Sequence, residues 1–397
     1  ALAIIGFMVA VGTVAFSVAA PSLVPALVNV EGLAQANGRL ELARLTIILA
    51  EHLPASSTIL DVGGGTGRIA AWLTEQGLAQ LMQRCAAVTT EFENVPAPAL
   101  VTLGAHRPVA PGADAVAIAQ DRAAEKAHFV RCGVPVAPHA VIATPAQLAA
   151  VGDDLLPGIL KTARMGYDGK GQIRVKTRDE LASAWDQLKN VPCVLEKMLP
   201  LKAECSVIVA RGANGQTVNF PVQLNLHREG ILAVTTVNEG AVPADLAAQA
   251  VAATRAIAEG IHYVGVLCVE FFILEGGQLV VNEMAPRPHN SGHYTMNACD
   301  QSQFEMQVRT LAGLPLTQPR QHSPAIMLNL LGDLWPEGGA PAWEQVLALP
   351  GTHLHLYGKL SARPGRKMGH LNITGATPEA VRATALQAAA LLGIEAF

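Results

Sequence analysis

Aromatic and charged residues are scarce in this chain of 397 residues. Phe, Trp and Tyr make up 4% of the residues, too few for a surface that stacks nucleic-acid bases. Charged residues make up 15% and the formal net charge is -4, so neither nucleic acid nor an acidic membrane is an expected partner. The composition is typical of a compact α/β enzyme, and the length allows two or three domains.

Closely spaced cysteines are also lacking. No two of the six cysteines show the C-x-x-C spacing of a zinc or redox site. Dispersed thiols in a chain of this length indicate ordinary core packing in a reducing compartment. We therefore expect a cytoplasmic protein.

Residues 1 to 30 contain no charged side chain. By length, the apolar run from Ala1 to Ala20 could span a bilayer. It lacks the basic start of a secretory signal, however, and Pro21 and Pro25 interrupt the run. We do not expect a membrane partner, but a membrane-anchored, non-catalytic protein is kept as an alternative.

The segment from Asn282 to His293 is the densest group of polar side chains in the sequence. It directly follows the apolar run from Leu279 to Val281, which is typical of a buried strand with a carboxylate at its end. Pro286 and Pro288 end the strand and hold the intervening residues on a stiff turn. A polar surface loop would explain one or two of these side chains, so we favour a ligand-binding site.

A glycine-rich loop follows a second apolar run. Lys161 ends the run Gly158 to Leu160, and residues 166 to 171 then form a flexible loop whose amides and lysine can close over phosphates. The loop lacks the Gly-Lys-Ser/Thr helix start of a Walker motif. A hairpin turn would explain Asp168 and Gly169 but leave both Lys161 and Lys170 unexplained.

A third glycine cluster lies nearer the N-terminus. Gly63 to Gly67 follow a short apolar strand, an arrangement that lets a ligand approach a helix N-terminus. Residues 58 to 77 resemble the first motif of methyltransferases that bind S-adenosylmethionine, and residues 7 to 45 resemble a loop region of major-facilitator transporters. Neither match is long enough for a domain, so a methyltransferase is only an alternative.

From Leu81 onward the chain resembles the 5-(carboxyamino)imidazole ribonucleotide synthases, the ATP-grasp carboxylating enzymes of purine synthesis. The resemblance is carried by residues 89–96, 165–172, 282–293 and 359–370. It implies an α/β ATP-grasp fold with an incomplete or replaced N-terminal Rossmann-like (pre-ATP-grasp) domain and a small, β-rich C-terminal domain. The expected divisions are an atypical segment 1–78, a pre-ATP-grasp remnant 79–120, an ATP-grasp domain 121–315 with a lid at about 121–192, and a C-terminal domain 316–397.

The resemblance implies a carbon-nitrogen ligase of de novo purine biosynthesis. Bicarbonate and ATP would carboxylate 5-aminoimidazole ribonucleotide through carboxyphosphate, with ADP and phosphate as the other products. Mg²⁺ and a homodimer are implied as well. We expect the unusual N-terminal segment to impair this activity. A different ATP-grasp ligase or carboxylase is a further alternative. Residues 287–293 and 359–370 argue against it, because they match the purine enzyme and not biotin carboxylase.

The resemblance also assigns roles to individual residues. Taken singly, Glu204 would be a solvated charge and His227 a structural histidine, whereas the family implies ATP contacts for both. Glu270 and Glu283 are the implied metal ligands, and Lys359 and Arg366 the clamp on the substrate phosphate. The implied catalytic residues are Tyr167, Asp168, Lys170, Arg287, His289 and Asn290. The implied ATP contacts are Arg122, Lys161, Gly166, Tyr167, Asp168, Gly169, Lys170, Gly171, Gln172, Glu196, Lys197, Met198, Leu199, Glu204, His227, Asn282 and Glu283.

Overall fold

The chain divides into two compact units in a computed structural model. One unit comprises Thr58–His322, and the other includes Ser323–Phe397. The structure describes residues 59–61, 82, 85–90, 93–166, 171–336, 339–359 and 361–397. The apolar run 1–20, the glycine cluster 63–67 and the loop residues 167–170 therefore lie outside the described residues.

A small parallel sheet begins the first unit. Its middle strand pairs with both neighbours, and Val88, Leu100, Leu103 and Val116 form the core beneath it. The strand expected at Ile59 is present, and it pairs with a strand that follows residue 78. The elements are β1 (Ile59–Asp61), β2 (Ala87–Thr89), β3 (Val109–Ala110), α1 (Ala97–Gly104) and α2 (Ala113–Ala119).

A four-stranded antiparallel sheet follows helix α3 (Arg122–Arg131). Two short helices pack on it, and Thr144 and Thr177 cap their N-termini by accepting backbone N–H groups. Buried Leu160, Trp185 and Leu195 belong to the shared core. The elements are β4 (His139–Ile142), β5 (Gly158–Thr162), β6 (Gln172–Val175), β7 (Cys193–Lys197), α4 (Pro145–Ala149) and α5 (Arg178–Gln187), with strand order β4-β7-β5-β6.

The largest sheet of the first unit is antiparallel in each of its pairings. One face carries Val207, Val209, Leu267 and Val269, which pack against Ile257 of a long helix. The opposite face is left for polar side chains because side chains alternate along a strand. The elements are β8 (Leu201–Arg211), β9 (Thr217–Asn219), β10 (Gln223–Arg228), β11 (Ile231–Val237), β12 (Gly265–Leu274), β13 (Leu279–Ala285), α6 (Ala244–Gly260), α7 (Thr295–Ala298) and α8 (Gln303–Leu311).

The second unit contains an antiparallel sheet covered by one long helix. That helix begins at the Thr377 cap and ends at Gly393, whose positive φ of 72° suits glycine. The elements are β14 (Ala325–Leu331), β15 (Thr352–Leu356), β16 (Lys367–Thr374), α9 (Trp343–Leu347) and α10 (Pro378–Leu392), with strand order β14-β16-β15. The α/β fold class is confirmed. No helix in the described part of the chain combines the length and apolar character needed to cross a bilayer.

Candidate active site

Two carboxylates face each other across the hairpin of β12 and β13. Glu270 is the direct cross-strand partner of Glu283, and the register shifts immediately afterwards, so that Phe271 pairs with Val281. Asn282 is the extra residue of this β-bulge. Without the bulge, alternation would place Glu283 on the apolar face with Val281; with it, Glu283 joins Glu270 on the polar face. The structure therefore brings the two implied metal ligands together.

Each carboxylate also has a basic neighbour. Glu283 Oε2 accepts a hydrogen bond from Arg122 Nη1 at 3.0 Å, and Glu270 Oε1 lies 3.2 Å from His289 Nε2. Burial would raise the pKa of Glu283, but the charges of Arg122 and Lys161 outweigh burial and lower it. Glu283 is therefore ionised at neutral pH, as a metal ligand must be.

Unpaired buried amides lie beside these carboxylates in the sequence. Asn282 Oδ1 and both polar side-chain atoms of Asn290 are buried without a hydrogen-bond partner. Such atoms are costly in a folded protein unless a ligand or water satisfies them. They fit the role of ligand contacts that was implied for both residues.

The described residues contain no cluster of three or more His, Cys, Asp or Glu side chains that could hold a metal alone. Two carboxylates with a nearby amide oxygen are nevertheless a donor set that suits Mg²⁺. This ion is usually held by one or two carboxylates, with phosphate oxygens and water as its other ligands. Glu270, Glu283 and Asn282 therefore fit a Mg²⁺ ion that arrives with a nucleotide.

A buried carboxylate between two ammonium groups forms the second part of the site. Glu196, on β7, has Lys161 Nζ 3.1 Å from one oxygen and Lys126 Nζ 3.1 Å from the other. Burial would raise the pKa of Glu196, but the two ammonium groups lower it to about 2. The side chain of Glu196 thus holds Lys161 in place, a role that the sequence did not suggest.

The adenine contacts implied for residues 196–199 are only partly open. The amide of Lys197 donates to Pro138 O and the amide of Met198 donates to Pro157 O, both at 2.9 Å. These two N–H groups are therefore occupied by the protein itself. Contact with a base through the exposed Met198 side chain or through Leu199 stays a prediction.

Glu204 and His227 form a pair on neighbouring strands. His227 Nδ1 lies 2.7 Å from Glu204 Oε2, and Glu204 is the cross-strand partner of Asn225 in β10. Burial would lower the pKa of His227, but Glu204 and the more distant Glu270 and Glu283 raise it. A cationic His227 on the polar face would suit an anionic ligand such as a nucleotide.

The base of the glycine-rich loop is described on both sides. Thr162 N donates to Gly171 O at 2.8 Å, and Lys161 pairs with Gln172 across β5 and β6. Gly171 has a φ of 72°, and a Cβ there would lie 2.7 Å from Thr162 Oγ1. Glycine is therefore required where the loop closes. Tyr167, Asp168, Gly169 and Lys170 fall outside the described residues, so their roles stay predictions.

Three protein-family models match parts of this chain. Residues 127–304 match the ATP-grasp domain, and residues 325–384 match the C-terminal domain of phosphoribosylaminoimidazole carboxylase. Residues 38–120 match the preATP-grasp domain of ribonucleotide synthetases. The N5-carboxyaminoimidazole ribonucleotide synthase of Brucella melitensis is 42% identical over 310 residues, which are 76% of this chain and 83% of that protein.

The chain belongs to the N5-carboxyaminoimidazole ribonucleotide synthase family. Two solved structures of the family are similar to it. The Staphylococcus aureus enzyme complexed with ADP is 34% identical, with a TM-score of 0.73 over 85% of this chain and 90% of that chain. The Aspergillus clavatus enzyme in complex with ADP and 5-aminoimidazole ribonucleotide is 28% identical, with a TM-score of 0.76 over 89% and 96%.

Family membership agrees with the resemblance found in the sequence. The matches give no support to the alternatives of a methyltransferase or a membrane-anchored, non-catalytic protein. The loop from Arg287 to Asn290 follows β13, the strand that carries Glu283. Arg287 Nε donates to Glu93 Oε2 in a close ion pair, so the carboxylate of the preATP-grasp domain holds the guanidinium. Glu93 was not among the predicted site residues, although its segment carried the resemblance.

One face of helix α3 holds three side chains that contact β7 and β13. Arg122 contacts Glu283, Glu125 accepts the Met284 N–H at 2.7 Å, and Lys126 contacts Glu196. Positions i, i+3 and i+4 of a helix share one face, so the sequence carried a usable signal for Glu125 and Lys126. Only Arg122 had been predicted. Asp121 sets the start of the helix by accepting the Ala123 and Ala124 N–H groups.

The implied phosphate clamp lies in the second unit. Lys359 Nζ donates to Lys367 O at 2.5 Å and lies 5.6 Å from the centre of the Tyr357 ring. Arg366 Nη1 donates to Ser361 O at 2.9 Å. The turn between β15 and β16 thus fixes both basic side chains, while their role toward a phosphate stays a prediction.

A change of pH tests the environment of Glu125. Burial raises its pKa from 4.5 to about 8, although Arg122 opposes the shift. Because the folded pKa is raised, the stabilisation from the bound proton is complete below about 4.5 and is lost as the pH rises through about 8. Glu125→Gln stays neutral and keeps an acceptor for Met284. The free energy of unfolding of this variant, measured with urea, should rise relative to that of the wild type between about pH 5 and about pH 8.5. If the two proteins differ in unfolding free energy by the same amount at both pH values, the raised pKa of Glu125 is contradicted.

Proposed function

We infer that this chain carboxylates 5-aminoimidazole ribonucleotide with bicarbonate at the expense of ATP. The products are N5-carboxyaminoimidazole ribonucleotide, ADP and phosphate, and the pathway is purine biosynthesis. The observation that carries this conclusion is the cross-strand pair of Glu270 and Glu283, with the unpaired amides of Asn282 and Asn290 close by in the sequence. This arrangement would suit a nucleotide with its metal ion, and the relatives of the chain are named as synthases of the proposed product.

The proposed nucleotide site combines these carboxylates with fixed positive charge. Glu270 and Glu283 would hold Mg²⁺, which neutralises phosphate oxygens as phosphoryl transfer proceeds. Lys161 is buried and aimed by Glu196, so its ammonium can bind phosphate without reorganising. Lys170 and the amides of Gly169 and Gly171 would close the loop over the phosphates. Excluding water matters because it protects an unstable intermediate from hydrolysis.

The proposed chemistry has three steps. A bicarbonate oxygen attacks the γ-phosphorus and ADP leaves, which gives carboxyphosphate. Its C–O bond to phosphate then breaks, which gives CO₂ and phosphate in the closed site. The exocyclic amine of the substrate attacks the carbon of CO₂ and loses a proton to form the carbamate. Arg287, His289 and Asn290 would orient the bicarbonate and the carboxyl group, with Tyr167 and Asp168 on the loop.

The proposal includes a cytoplasmic homodimer that uses Mg²⁺. All six cysteines are free thiols, which suits a reducing compartment. The dimer is supported only by the family resemblance. We expect a weakened affinity for the aminoimidazole nucleotide if the N-terminal segment is as unusual as its sequence suggests.

Release of ADP with and without 5-aminoimidazole ribonucleotide tests this function. At saturating bicarbonate and Mg²⁺, release should depend on the nucleotide, and labelled bicarbonate should appear in the carbamate product. ADP release at the same rate with and without bicarbonate and 5-aminoimidazole ribonucleotide would contradict the proposal. Calorimetry with S-adenosylmethionine tests the methyltransferase alternative, for which we expect no binding.

Removing Lys161 tests the phosphate contact. Lys161→Met should lower kcat by about 10²–10³-fold, because a preorganised charge on the transferring phosphoryl group is lost. The exposed Lys176, which directly follows strand β6 of the same sheet, is the matched control, and Lys176→Met should turn over at the wild-type rate. Equal kcat values for the two variants would remove Lys161 from the site.

A further inference from the structure

The amide group of one buried side chain bonds both backbone polar groups of His289, and His289 O also accepts the Gly292 N–H at 3.0 Å. The Gln303 side chain accepts the His289 N–H through Oε1 at 2.8 Å and donates to His289 O through Nε2 at 2.7 Å. Its Nε2 also lies 3.1 Å from His293 Nδ1. Gln303 thus pairs with the main chain of His289 as a neighbouring strand would, beyond the end of β13 at Ala285.

Gln303 is itself fixed in one position. It is the first residue of α8, its side chain is 0% exposed, and its own N–H donates to Thr295 Oγ1 at 3.1 Å. A Cβ on Gly292 would lie 2.4 Å from Gln303 Oε1, so the backbone of the loop packs directly against the amide. A buried amide with all its bonds made in one geometry is a rigid support.

The ring of His289 has its own contacts. Its Nδ1 accepts the Ser291 N–H at 3.3 Å and lies 2.9 Å from Ser291 Oγ. Since Nδ1 accepts, the proton of the neutral ring is on Nε2, which faces Glu270 Oε1 at 3.2 Å. Ser291 Oγ is anchored by Ser206 Oγ at 2.9 Å inside the sheet. Ring and backbone are thus held by different residues.

We propose that Gln303 is a positioning residue that fixes the backbone of His289 and so directs Nε2 toward Glu270. The proposal rests on the proposed function, in which His289 and Glu270 belong to the carboxylation site. Gln303 reaches the reaction only through His289. Its loss should therefore slow the chemical step more than it weakens ATP binding, because misplacement of about 1 Å costs as much as 10²-fold in rate.

The test compares Gln303→Met with Gln301→Met. The control changes the same residue type two positions earlier, where the side chain bonds only Thr317 among the contacts described. For Gln303→Met we expect kcat to fall by about 10–10²-fold with the KM for ATP changed less than about twofold. We also expect faster amide hydrogen exchange in segment 286–293 of the substrate-free protein. Gln301→Met should behave as the wild type in both measurements.

A wild-type kcat in Gln303→Met would overturn the proposal, and so would a loss of kcat with unchanged exchange in segment 286–293. If Gln303→Met does not fold, Gln303→Glu decides the matter, since it keeps the shape and the acceptor for the His289 N–H but turns a carboxylate oxygen, which cannot donate, toward His289 O. It should show the same loss of kcat and the same faster exchange. Hydrogen exchange is measured on the substrate-free protein and does not depend on the proposed reaction. Turnover of the wild type is measured separately, so failure of the proposed function can be told apart from failure of this inference.

Discussion

Replacing Glu283 by glutamine should reduce kcat for ADP formation by about 10³-fold or more, because metal-ion stabilisation of a phosphoryl transfer is worth several kcal/mol. Glu270→Gln should have an effect of the same order, since the two carboxylates are direct cross-strand partners on one face of the hairpin. Steady-state ADP release at saturating substrates and Mg²⁺ measures both. Raising Mg²⁺ should recover part of the activity, because the remaining carboxylate still binds the ion.

Glu275→Gln is the matched control for this pair. Glu275 lies in the turn of the same hairpin and is exposed, so its charge is not expected to contribute to an ion held between Glu270 and Glu283. Its kcat and its Mg²⁺ dependence should equal those of the wild type. Wild-type kcat in either Glu270→Gln or Glu283→Gln would show that the hairpin does not hold the metal.

Replacing Glu196 by glutamine should destabilise the protein by about 3–5 kcal/mol at neutral pH, because a buried charge is left without its counter-charge. Lys126 is 0% exposed and would keep an uncompensated ammonium, as would Lys161 on the other side. The free energy of unfolding in urea measures the loss.

The pH dependence of the stability difference between wild type and Glu196→Gln follows from the lowered pKa of Glu196. Glu196 has a pKa lowered from 4.5 to about 2, so its stabilisation is present above about 4.5 and is lost as the pH falls through about 2. The difference between wild type and Glu196→Gln should therefore shrink over that range. The exposed ion pair of Asp153 and Arg178 is the control, and Asp153→Asn should cost about 1 kcal/mol or less. A similarly small cost for Glu196→Gln would contradict the buried triad.

Local sequence patterns predicted the strands that carry the site but not where they end. Glu270 lies in the middle of β12 (Gly265–Leu274), and β13 continues beyond Glu283 to Ala285. Glu270 and Glu283 each follow an apolar run, and such runs form strands wherever both faces are covered. The bulge at Asn282 was not predictable, because it depends on the register between two strands and not on the pattern of either one. Yet the bulge decides which face Glu283 occupies.

Contacts between residues that are distant in the sequence were also not predicted. Glu93 contacts Arg287 although 194 positions separate them, and Lys126 meets Glu196 across two different elements. Charge alone cannot single out such pairs, because most charged residues are solvated. Glu196 was assigned to an adenine-binding hinge, and the contacts of its side chain with two lysines were not predicted. Only tertiary packing of α3 against β7 and β13 makes these contacts visible.

A crystal structure with Mn²⁺ and a non-hydrolysable ATP analogue tests the central claim most directly. The anomalous signal should locate an ion coordinated by one oxygen from Glu270 and one from Glu283, at about 2.0–2.2 Å, with its other ligands from phosphate and water. An ion bound to the nucleotide but out of reach of both carboxylates would contradict the account.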